Sequence, residues 1–169
     1  MEFHVLLGHS GDDLEKHCFD GDSAYITGFF ENTLVRSLGV DAPEVRGLDL
    51  YSLRKSEFFN TLEYQLRKHL EPKLADRSIE IHKDLGFQAR DYLNSILEEE
   101  LVMTFGKEVF DRYGRALVYL SAEDQDTYNL TLVEAGYAVP YFVYPNAVSP
   151  TEDGEWTYDT IEKVREVTL

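Results

Sequence analysis

Two short acidic runs dominate the chemistry open to this 169-residue chain: Asp20-Gly21-Asp22 and Asp41-Ala42-Pro43-Glu44. The first stands just before a strand-like segment and the second just after another, so a hairpin joining those strands brings both runs to one sheet edge. Four carboxylates held together repel one another unless a cation sits among them. Their hard oxygens suit Ca2+ or Mg2+, whereas the five histidines and the single Cys18 show no zinc-type spacing. Asp-Gly and Asp-Ala-Pro-Glu are also ordinary turn residues, a reading that needs no ligand. Arg36 weighs towards a site, because a guanidinium there can neutralise the cluster or clamp a phosphate with two parallel hydrogen bonds. Positions 36 and 41 differ in parity, so the strand must end or bulge between them, with Gly39 the natural place. Asp111-Arg112-Tyr113-Gly114-Arg115 adds two arginines at a turn, which is either a set of donors for an anion or plain surface charge.

These residues need elements to hold them. Residues 24–40 are rich in β-branched and aromatic side chains and break near Gly28 and Glu31-Asn32, which predicts a hairpin. Phe58, Phe59, Leu62, Leu66 and Leu70 recur at helical spacing and stop before Pro72, predicting one amphipathic helix over 56–70. A second helix is expected over 87–99, with Ala89, Leu93, Ile96 and Leu97 on one face, Asp84 as cap and Gly86 before its start. Residues 101–110 and 115–120 read as a hairpin around Asp111–Gly114. Residues 129–135 read as a short helix closed by Gly136, 137–144 as a strand broken by Pro140, and the last ten residues as weakly helical. The order β, α, β, short α suggests an α+β fold around a small barrel.

Composition bounds the rest. With 43% hydrophobic and 28% charged residues the chain resembles a folded globular protein, and one domain over 1–169 is the natural division. No apolar run approaches the roughly 18 residues of a membrane span. Cys18 has no partner for an intramolecular disulfide. Residues 1–10 lack the basic start and cleavage pattern of a secretory signal, so the chain reads as cytoplasmic or already processed. Asn129-Leu130-Thr131 is formally a glycosylation sequence, but it falls in an apolar helix. The net charge of −16 opposes unspecific attraction to nucleic acid or anionic membranes. That charge is uneven: residues 51–90 hold eight Lys/Arg against six Asp/Glu, and 121–169 two against ten.

Taken in order, Asp20-Gly21-Asp22-Ser23, Val35-Arg36 through Leu38-Gly39-Val40-Asp41-Ala42-Pro43-Glu44, Asp111-Arg112-Tyr113-Gly114-Arg115, and Leu132 through Ala138 leading to Tyr144-Pro145-Asn146 resemble the motifs of the staphylococcal (thermonuclease) nuclease family. The resemblance implies an OB-like five-stranded β-barrel with packed helices, and a Ca2+-dependent endonuclease that cleaves single-stranded or flexible DNA and RNA to 3′-phosphate ends. By the same resemblance Asp22, Asp41 and the Ala42 carbonyl would bind Ca2+, with Asp20 as a supporting acid. Glu44 would orient or deprotonate the attacking water, and Arg36 and Arg115 would hold the phosphate. Arg112, Tyr113 and Tyr141 would contact the nucleotide. The chain departs from the family pattern at Ser23, where Thr is usual, at Val143, where some members have an aromatic residue, in its acidity, and in a helical insertion over 46–85. That insertion is a possible contact for a protein partner. A barrel retained only as a scaffold for binding nucleic acid or a protein is the alternative to catalysis.

Overall fold

The computed structural model describes residues 2–28, 31–60 and 62–141, apart from the side chains at 57 and 58. The expectations for Val143, for Tyr144-Pro145-Asn146 and for a helix in the last ten residues lie outside the described residues.

The predicted hairpin is present as β3 (Ser23–Thr27) and β4 (Thr33–Ser37), antiparallel with Ser23 opposite Arg36 and Ala24 opposite Val35. Two further strands precede it, β1 (Glu2–Leu7) and β2 (Cys18–Asp20). β1 turns Phe3, Val5 and Leu7 inward and Glu2, His4 and Leu6 outward, but the run is short and the exposed Leu6 blurs its polar–apolar alternation in the sequence. A two-residue strand, β5 (Val40–Asp41), follows β4. The second hairpin is β6 (Glu100–Phe110) and β7 (Ala116–Ser121), and β8 (Val139–Pro140) pairs with β5. The main sheet runs β1-β6-β7-β4-β3-β2, and β1 also pairs with β3, which closes a barrel of β1, β3, β4, β7 and β6. All of its pairings are antiparallel except β4 with β7, so the five-stranded barrel is mixed, as an OB-like α+β fold requires. Closure leaves its strands no long open edge.

The inward side chains alternate as the pleat demands. Ala24 and Ile26 on β3, Leu101 and Met103 on β6, and Val118 and Leu120 on β7 are buried together with Val35. The last four residues of β6 are exposed, and its pairing with β7 slips between Phe105 and Phe110, so this hairpin projects past the barrel as an arm.

The helices differ from expectation in two places. The single helix over 56–70 is instead α2 (Glu57–Asn60) and α3 (Tyr64–Leu70), preceded by α1 (Leu50–Lys55) and followed by a 3-10 turn at Glu71–Lys73. Glu63 starts α3 afresh, its carboxylate accepting the N–H groups of Gln65 and Leu66, a capping role that apolar spacing does not report. The helix expected at 87–99 is α4 (Asp76–Ile96), so Asp84 and Gly86 lie within it rather than at its start. Its buried face is His82, Gly86, Ala89 and Leu93. The first two are not apolar, so the N-terminal half shows no hydrophobic stripe. Residues 46–85, expected from the sequence to be a helical insertion, hold three short helices, the 3-10 turn and the first half of α4. The short helix α5 (Tyr128–Glu134) is capped by Thr127 and ends before Gly136 at φ +76°, as predicted. Asn129 on α5 is fully buried, its amide donating to the Leu38 carbonyl at 2.7 Å, which agrees with setting the glycosylation sequence aside.

Candidate active site

Asp20 ends β2, Asp22 occupies the turn into β3, and Asp41 closes β5, so the hairpin does bring the two acidic runs together. Asp22 is 2% exposed and Asp20 8%. One Asp22 carboxylate oxygen accepts the Ala42 N–H at 2.7 Å, tying the first run to the second through the backbone. Arg36 bridges them: its guanidinium pairs with Asp22 on one side and with Asp41 at 2.9 Å on the other, and donates to the Val40 carbonyl. The parity conflict between 36 and 41 is resolved where expected. β4 stops at Ser37 and Gly39 turns the chain at φ +71°, a conformation glycine adopts without strain.

The electrostatics are those of crowded acids. Burial pushes the Asp41 carboxyl above its ordinary range; Arg36 opposes this and Asp20 adds to it. Glu44 projects from the loop after β5 with an exposed side chain. The protein packed around its carboxyl, then Asp20 and Asp41, push it up as well, against Arg36 and Arg115. These mutual influences place Asp20, Asp41, Glu44, Arg36 and Arg115 within one field. Among the described residues only Arg36 forms an ion pair with this acidic group, so negative charge is left over. No three His, Cys, Asp or Glu side chains of the described residues form a ready-made metal cluster.

On the other side of Arg36 lies a cleft of about 440 Å³, lined by Arg36 and Arg115 together with Arg112, Tyr113, Tyr141 and Glu108. Asp111 organises its rim. Its carboxylate accepts the N–H groups of Tyr113 at 2.8 Å and Arg115 at 2.9 Å, and holds the Arg115 Nε at 2.7 Å. Burial pushes Asp111 up, but these bonds and the Arg115 charge outweigh it and hold its carboxyl below the ordinary range. Arg112 donates to the Tyr113 hydroxyl and lies over its ring, which is 68% exposed. Tyr141 is tied to the barrel by its N–H to the Gly39 carbonyl at 2.8 Å. The described residues to which the resemblance gives a role thus fall either in the acidic group or in the cleft, with Arg36 in contact with both.

Sequence reasoning passed over three residues here. Asp111 looked like a turn residue, and its grip on Arg115 needs only a spacing of four to be guessed. Glu108 enters the cleft from the projecting arm and gave no signal. His82 carries no zinc-type spacing in the sequence, yet it is 6% exposed and its Nε2 faces the Glu44 N–H at 3.2 Å.

Residues 34–158 match the family described as "Staphylococcal nuclease homologue". Endonuclease YhcR of Bacillus subtilis (strain 168) is 31% identical over 129 residues, 75% of this chain. The match covers only 8% of that much longer protein. Among the described residues no helix is long and apolar enough to cross a membrane. The barrel, the order of its motifs and the match over most of the sequence together make this chain a member of the staphylococcal nuclease family.

Proposed function

We propose that the chain is a Ca2+-dependent endonuclease that hydrolyses phosphodiester bonds of single-stranded or flexible DNA and RNA, leaving 3′-phosphate ends. The observation that carries this reading is Arg36 standing between a buried acidic group and a cleft rimmed by Arg115, Arg112 and two tyrosines. The donor set suits a hard cation: carboxylates from Asp22 and Asp41, the Ala42 carbonyl, Asp20 close by, and more negative charge than Arg36 cancels. When bound, the ion supplies Lewis-acid stabilisation of charge on the phosphate.

The chain's own groups do the remaining work. A guanidinium has five N–H donors. Three from Arg36 face Asp22, Asp41 and Val40, which leaves two for a phosphate oxygen in the cleft. Arg115, anchored through Nε by Asp111, presents its terminal amines. Two guanidiniums directed at the equatorial oxygens stabilise the charge that builds there in an in-line displacement. Glu44 accepts a proton from the attacking water as its oxygen bonds to phosphorus; the bond to the 5′-oxygen breaks, and that oxygen takes a proton from solvent. A carboxyl raised above its ordinary range is a stronger base than a free one. Tyr113 and Tyr141 offer rings for base stacking, which is tolerant of sequence and favours unpaired strands.

The test is cleavage of denatured DNA and of RNA at alkaline pH, with Ca2+ or chelator, by the wild type, Glu44→Gln and Arg115→Ala. Ca2+-dependent cleavage to 3′-phosphate ends, reduced about 10²-fold or more in each variant, supports the reading. Folded wild type that cuts neither substrate, or variants as active as wild type, refutes it.

A further inference from the structure

The loop that carries Glu44 rests on α4, and the contacts between them run to the loop's backbone atoms. The Glu44 N–H points at His82 Nε2, 3.2 Å away. A ring nitrogen facing an N–H must offer its lone pair, so the imidazole is neutral with its proton on Nδ1. Burial favours that state, holding His82 below the ordinary histidine range. One turn further along the same face, Gly86 lets the loop touch the helix: a Cβ there would lie 2.5 Å from the Pro43 carbonyl oxygen and 3.1 Å from that of Glu44. One more turn on, Ala89 packs against the other acidic run, since a Cβ on Gly21 would lie 2.6 Å from the Ala89 Cβ and 2.8 Å from that of Ala42. His82, Gly86 and Ala89 follow the helical repeat, so one stripe of α4 supports both carboxylate-bearing loops.

We propose that His82 is a positioning residue for catalysis, fixing the Glu44 carboxylate through a hydrogen bond to its main-chain N–H while Gly86 keeps the loop seated on the helix. Pro43 has a fixed φ and no N–H, so after the Ala42 N–H held by Asp22 the peptide N–H of Glu44 is the next donor that can be anchored. Without the anchor the Glu44 backbone can rotate, and its side chain moves with it. A displacement of about 1 Å at a reacting group costs on the order of 10²-fold in rate. The proposal rests on Glu44 acting as the base, which Glu44→Gln tests separately.

The experiment compares His82→Phe, His82→Gln and Gly86→Ala with wild type on single-stranded DNA with Ca2+, measuring kcat and KM, with amide hydrogen exchange at Glu44 read in parallel. His82→Phe is expected to lower kcat about 10²-fold with KM nearly unchanged. It should also speed exchange at the Glu44 amide. His82→Gln, which can still present an acceptor oxygen, should recover most of kcat. In a Glu44→Gln background His82→Phe should have no further effect, because the group it positions is gone. Unchanged kcat in His82→Phe, or an additive loss in the Glu44→Gln background, overturns the proposal. If His82→Phe does not fold, Gly86→Ala decides: a lowered kcat with faster Glu44 exchange supports it, and wild-type values for both overturn it. A fully active Glu44→Gln removes the reading of Glu44 instead, whatever the His82 variants do.

Discussion

Arg36→Met removes the one cation that pairs with Asp22 and Asp41 among the described residues and leaves the buried Asp22 carboxylate against a thioether. Truncating one partner of a buried ion pair costs about 3–5 kcal/mol, because the remaining charge stays desolvated. The side chains of Arg36 and Asp41 retain 15% and 20% exposure, and Asp22 keeps the Ala42 N–H, so the lower end applies, about 3 kcal/mol. For a domain of this size that is a fall in Tm of roughly 6–12 °C in chelator. Arg36→Lys should recover part of the stability and little of the activity, since an ammonium cannot bridge two carboxylates and a phosphate with fixed geometry. The assay is thermal unfolding by circular dichroism with chelator and then with Ca2+. A cation that binds only the folded state at about 100 times its Kd adds about 2.7 kcal/mol, so Ca2+ should return most of the lost Tm. A variant that melts within about 2 °C of wild type in chelator would refute the view that Arg36 offsets buried negative charge.

Three further outcomes follow from the same geometry. Asp41→Asn should stabilise the metal-free protein more at neutral than at acid pH. The Asp41 carboxyl is raised in the fold, so its contribution is fully present below the ordinary Asp range and is lost as pH rises through the folded value; chemical denaturation of both proteins at several pH values checks the sign. Asp111→Ala should cut kcat about 10-fold to 10²-fold through loss of Arg115 orientation while barrel stability changes little, because the turn sits on the exposed end of the arm; kinetics and melting on one preparation separate the two. Asn129→Ala should destabilise by about 1–3 kcal/mol, since it removes a fully buried amide and orphans the Leu38 carbonyl, as urea unfolding would report.

The chemistry was more legible in the sequence than the scaffold that supports it. Acidic runs flanking two β-branched segments, an arginine five residues before Asp41 and a glycine between them fix a local geometry, because hairpin pairing and the pleat allow few arrangements. Short-range turn chemistry likewise specified the Asp111–Arg115 rim and the end of α5 at Gly136. What escaped was whatever depends on residues far apart in the chain. β1 is held as a strand by β6 and β3 on either side, and its six residues, with Leu6 outward, alternate too briefly to announce it. α4 extends back to Asp76 because a histidine and a glycine are buried against the Pro43–Glu44 loop, and neither type registers as hydrophobic. The amino-acid sequence by itself determined the inventory of charged groups, the hairpins and the family motifs. Only tertiary packing decided that Arg36 faces both the acids and the cleft, and that His82 meets Glu44, since each depends on which element closes against which.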